Sequence, residues 1–113
     1  MSAQLTLDSL SGIDWEHPTI YQLEQFAIDN VPGCKTILER HNSFMCVRIS
    51  HWLGAVAYLR PSLERTEDDR LEWFARLEYE LKSGVRNLAI QGDEDLEHAL
   101  WNMYVHWNDF DHA

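Results

Sequence analysis

The amino-acid sequence predicts a mostly α fold, a compact bundle of four or five helices preceded by an irregular N-terminal arm. Three observations carry that expectation. Apolar residues recur at spacings of three and four along several stretches, which places them on one helical face. Hydroxyl or acidic residues stand where those stretches begin, as helix caps do. Pro18, Pro32-Gly33, Pro61, Gly84 and Gly92 punctuate the chain between them.

Residues 1–16 read as the arm, with Leu5, Leu7, Leu10, Ile13 and Trp15 to tie it to the body. Pro18 suits a first helical turn, with His17 or Thr19 near the cap. The first helix is expected from about Pro18 to Asn30, with Ile20, Leu23, Phe26 and Ala27 on one face and Tyr21 and Ile28 beside it. Val31-Pro32-Gly33 breaks it, and a short helix over Cys34–Arg40 turns Ile37 and Leu38 inward. His41-Asn42-Ser43 reads as a turn.

Residues 44–60 support two readings. Met45, Ile49, Trp52, Val56 and Leu59 form a helical stripe, which favours a central buried helix. The alternative is a hairpin, and so an α+β fold. Its strands would be Phe44–Ser50 and Ala55–Arg60, turning at His51-Trp52-Leu53-Gly54, and the β-branched Val47, Ile49 and Val56 suit it.

Thr66 then caps a helix that buries Trp73, Phe74, Leu77 and Leu81. Glu72, Arg76 and Glu80 line its wet side at four-residue spacing, with Glu78 and Lys82 as a further pair. Gly84 ends it. Val85 to Gln91 reads as a connecting turn or a short edge strand. Asp93 caps the last helix, whose stripe is Leu96, Ala99, Leu100, Met103, Tyr104 and Trp107. Residues 109–113 read as a frayed tail.

At 113 residues the chain is expected to be a single domain over 1–113. Its 45% hydrophobic content is enough for a core without disulfides or a structural metal. Two cysteines, Cys34 and Cys46, no signal-peptide pattern and no membrane-length apolar run together point to free thiols in the cytoplasm.

The net charge of −10 is unevenly spread. Residues 1–30 carry five acids and residues 91–113 carry six, and neither segment has a Lys or Arg. The middle of the chain carries eight acids and nine bases. Such a chain repels nucleic acid, whose binding needs cations to neutralise phosphates, and attracts basic proteins.

No motif assigns an enzymatic activity, and no catalytic residue, metal ligand or cofactor is expected. The six histidines include no pair at HExxH spacing. Asp95 and His98 make one acid-x-x-His unit, where a di-iron bundle needs two. Cys34 after Pro32-Gly33 would be an activated thiol only at a helix start. A small metal- or thiol-dependent enzyme built on these residues is therefore the last of three functional readings.

The leading reading is a non-enzymatic acidic binding protein, an inhibitor or regulator that occludes a basic surface of a partner such as a nucleic-acid-handling protein. Its binding residues would be Asp93, Glu94, Asp95, Glu97, Asp109 and Asp111 for charge, with Trp101 and Val105 as apolar anchors. A form of this reading is nucleic-acid mimicry. Duplex DNA carries one charge per about 1.7 Å of axis, and a helix rising about 1.5 Å per residue can match it. In size and acidity the chain is similar to small regulators and immunity proteins, including anti-defence proteins, though no motif carries that likeness. The second reading is a homo-oligomeric accessory subunit, with Trp101 at a homodimer seam.

Overall fold

The computed structural model describes residues 13–31, 33–51 and 56–105 and shows a β-meander with two helices, not a helical bundle. The order is α1 (Ile20–Asn30), β1 (Cys34–His41), β2 (Phe44–His51), β3 (Val56–Arg65), β4 (Leu71–Leu81), β5 (Gly84–Ile90) and α2 (Asp93–Val105). The five strands form one sheet in chain order, each antiparallel to the next.

β4 shows why these residues make strands. Leu71, Trp73, Ala75, Leu77, Tyr79 and Leu81 alternate with Glu72, Phe74, Arg76, Glu78 and Glu80. An apolar residue at every second position fits a half-buried strand, because successive side chains point to opposite faces. The helix expected here is corrected to a strand. Glu, Leu, Ala and Arg favour helix locally, but a helical β4 would spread its apolar residues around the whole cylinder. Thr66 instead opens the loop to β4, where its carbonyl accepts from Asp69 N–H at 3.0 Å and Asp69 has a φ of 65°.

The other corrections have the same cause. Cys34–Arg40 is not a short helix but most of β1, so Ile37 and Leu38 point to opposite faces, with Ile37 exposed and Leu38 packed on the core. Residues 44–60 do not form the favoured helix. β2 and β3 pair there as an antiparallel hairpin, with Val47 opposite Leu59 and Ile49 opposite Ala57. Val85 lies in the edge strand β5. The turn expected at His41-Asn42-Ser43 is a two-residue hairpin loop, with φ of 52° at Asn42 and 73° at Ser43. Positive φ at both centres matches the twist of the flanking strands.

The register sorts the sheet into two faces. One carries Val47, Ile49, Ala57, Leu59, Ala75, Leu77 and Ile90, all buried. Both helices cover this face, α1 through Leu23 and Ala27 and α2 through Leu96, Ala99, Leu100 and Met103. Burying each large aliphatic side chain is worth about 1.5–3 kcal/mol. α1 starts at a capping box in which Thr19 Oγ1 accepts from Gln22 N–H at 3.2 Å and Gln22 Oε1 accepts from Thr19 N–H at 3.1 Å. The other sheet face has no helix over it among the described residues. Leu5, Leu7 and Leu10 of the expected arm, Trp52, Leu53 and Gly54 of the expected turn, Ala55, the Tyr104 side chain, Trp107 and the expected tail lie outside the described residues.

Candidate functional site: an acidic helix layer

The helices draw on the two acid-only ends of the chain. Asp14, Glu16, Glu24 and Asp29 come from one end, and Asp93, Glu94, Asp95 and Glu97 from the other. Neither helix carries a Lys or Arg. Because both pack on the same sheet face, acids that are far apart in sequence share one layer.

Not all of these acids are available to a partner. Asp93 Oδ1 accepts a 2.7 Å hydrogen bond from Trp15 Nε1, which ties the start of α2 to the segment before α1. Glu24 Oε2 accepts from Thr36 Oγ1 of β1 at 3.0 Å, and Asp29 Oδ1 accepts from Gln25 Nε2 at 2.9 Å. Asp14 Oδ1 accepts from Glu16 N–H at 3.1 Å. Glu94, Asp95 and Glu97 are exposed and engage no cation or hydrogen-bond donor among the described residues. They span about 4.5 Å of axis at the helical rise, so they form a cluster at one end of α2, not a row along it. Asp93, Glu94 and Asp95 occupy the first turn, where the helix dipole stabilises negative charge.

The outward stripe of α2 continues from those acids. Glu94, His98, Trp101 and Val105 follow at spacings of four, three and four, opposite the buried Leu96, Leu100 and Met103. Trp101 is 53% exposed and Val105 49%. On α1, Tyr21 and Ile28 are exposed beside the core stripe, at 69% and 48%. A cavity of about 270 Å³ opens between the end of α1 and the middle of α2, lined by Asn30, Glu97, His98 and Trp101. The layer thus joins unpaired acids, exposed apolar side chains and a shallow recess. Asp109 and Asp111 lie outside the described residues.

The features read as enzymatic alternatives lie apart from one another, Cys34 in β1 and Asp95 with His98 in α2. Cys34 begins a strand, not a helix, and its Sγ approaches Ala27 O at 3.7 Å. Burial pushes this thiol up from its ordinary pKa, only partly countered by a backbone hydrogen bond, the opposite of an activated nucleophile. Asp95 and His98 are both exposed, and no group of three His, Cys, Asp or Glu side chains among the described residues is placed to hold a metal ion. No described helix is long and apolar enough to cross a membrane.

No family model matches the chain, and no curated protein or solved structure is detectably similar to it.

Proposed function

We propose that the protein is a non-enzymatic binding protein of the cytoplasm. Its acidic helix layer occludes a basic surface on another protein, of the kind that handles nucleic acid. One observation carries the reading: acids from the two ends of the chain, with no Lys or Arg on either helix, lie on one side of the sheet beside the exposed Trp101, Val105 and Ile28. Glu94, Asp95 and Glu97 steer the encounter, since no cation among the described residues neutralises their charge. Trp101 anchors, because Trp contributes a large apolar area at little entropic cost and is enriched among interface hot spots. Compact clustering of the acids favours a basic protein patch over mimicry of an extended phosphate row.

The test is a paired capture from native, nuclease-treated lysate, using the wild-type chain, Glu94→Gln/Asp95→Asn/Glu97→Gln and Trp101→Ala. A basic protein held by the wild type at low salt and released by both variants supports the reading. Association should slow with salt as the Debye length falls from about 10 Å at 0.1 M to about 3 Å at 1 M. Equal capture by all three chains would remove the helix layer as the binding surface.

A further inference from the structure

The sheet face with no helix over it among the described residues, called the uncovered face, holds a second site, independent of the helix layer. His41 stacks on Tyr58 with ring centroids 3.7 Å apart, and the Arg60 guanidinium lies 4.0 Å over the Phe44 ring. Between these long side chains sits Cys46, a short residue only 2% exposed. The result is a pocket of about 210 Å³ at whose wall stand Arg60, Glu78 and Asn87. That is below the roughly 300–1,000 Å³ of sites for drug-sized ligands, and equals the share of about seven liquid waters.

The charges of this pocket are unequally committed. Arg76 is spent: it binds Glu64 through two nitrogens and donates through Nη1 to Asn87 Oδ1 at 3.0 Å. Arg60 is half-buried and makes no close ion pair among the described residues, unlike the half-buried Arg48 and Arg76, which pair with Glu39 and Glu64; its charge reaches Glu64 only from a distance. Glu78 is also half-buried, and no cation or donor among the described residues reaches it. The two are diagonal neighbours across β3 and β4, since Arg60 pairs with Arg76 and Tyr58 with Glu78. Both act on the Cys46 thiol from opposite directions, Arg60 lowering and Glu78 raising its pKa. Desolvation is the largest influence there and raises it, so the floor of the pocket stays uncharged.

A half-buried cation and a half-buried anion at the wall of one small cavity, neither held in a close ion pair among the described residues, match a ligand that carries both charges. A bare anion would meet Glu78, and a bare cation would meet Arg60. We infer that this pocket binds a free α-amino acid, its carboxylate on the Arg60 guanidinium and its ammonium on the Glu78 carboxylate. Phe44 backs the guanidinium and holds it in plane. The amide nitrogen of Asn87, whose oxygen is taken by Arg76, supplies a further donor.

The deciding experiment is a calorimetric titration of the wild-type chain with each of the twenty L-amino acids, with acetate and methylammonium as single-charge controls. Saturable binding is expected for at least one amino acid, with each control at least tenfold weaker. Arg60→Met and Glu78→Gln should each weaken that binding at least tenfold with an unchanged circular dichroism spectrum. No heat from any amino acid at 10-fold excess over a protein concentration of about 1 mM, a range chosen to reveal weak binding, would overturn the inference. So would acetate binding as tightly as the amino acid, which would make the pocket an anion site. These controls need no variant, so they decide the matter even if a substituted chain fails to fold.

Discussion

Leu77 and Arg76 are neighbours in β4, yet they belong to different molecules as far as their surroundings go. Leu77 is fully buried under the helices, opposite Leu59 and Leu88. Arg76 lies on the uncovered face, a quarter exposed, in a polar network with Glu64 and Asn87. The first face is held by non-directional burial, which tolerates many apolar residues provided volume is kept. The second is held by hydrogen bonds and charge pairs, where each group depends on a specific partner. One strand therefore carries both the stability of the core and the chemistry of a candidate pocket, on alternate residues.

The largest effect that tests this division is expected from Leu77→Ala. It should cost about 2–5 kcal/mol in denaturant unfolding, through lost burial and the cavity left behind. Arg76→Ala should cost less, about 1–3 kcal/mol, by stranding the Glu64 carboxylate and the Asn87 amide oxygen. A reversed order of the two would show that the uncovered face, and not the helix-covered one, dominates stability.

The same network predicts a pH dependence. Desolvation alone would raise the Glu64 carboxyl, but hydrogen bonds from Arg76 and Ser62 and the charges of Arg76 and Arg60 outweigh it and hold the group below its ordinary value. A carboxyl lowered on folding stabilises fully above its unfolded pKa, about 4.3 for Glu, and loses that contribution as pH falls through the folded value. Stability measured between about pH 5 and 3 should then fall less steeply in Glu64→Gln than in the wild type. Parallel slopes would mean that Glu64 gains nothing from Arg76.

Smaller effects are expected in the helix layer. Thr19→Ala removes the acceptor for Gln22 N–H and should cost about 1 kcal/mol in thermal or chemical unfolding. Neutralising Glu94, Asp95 and Glu97 should lower stability only modestly, by about 0.3–1 kcal/mol for each of Glu94 and Asp95, whose charge suits the positive end of the helix dipole. A large loss on neutralising them would recast the cluster as a structural feature of α2 and weaken its assignment to a partner.

The first and last helices were legible in outline: Leu23 and Ala27, and Leu96, Ala99, Leu100 and Met103, recur at helical spacing, while the structure starts the first helix at Ile20 after a Thr19 cap and not at Pro18. The strands were harder because both sheet faces carry apolar groups. Phe44, Cys46 and Tyr58 on the uncovered face fill in the alternation of β2 and β3, and a filled-in alternation can also be drawn as a helical stripe. β4 did carry a plain signal, an apolar residue at every odd position from Leu71 to Leu81, but it is written in helix-favouring Glu, Leu, Ala and Arg. There the period deserved more weight than propensity, which packing overrides.

The candidate sites divide in the same way. That Glu94, Asp95, Glu97, Trp101 and Val105 would be exposed follows from the helical period alone, since the buried stripe takes the opposite side. The structural tie of Asp93 to Trp15 spans 78 positions, and no local pattern announces it. The pocket on the uncovered face had no sequence signature either. Arg60, Glu78 and Cys46 come from three strands and meet only through the antiparallel register.

What the sequence determined by itself is what depends on near neighbours: charge, the first and last amphipathic helices and a turn over His41-Asn42-Ser43. What only the tertiary structure decided is what depends on pairing between distant segments: which apolar face is covered, which acids are free, and which charges lack partners. The physical reason is that a helix closes its hydrogen bonds within itself, so its signals are local. A strand closes them with another strand, and its meaning is set by the partner it finds.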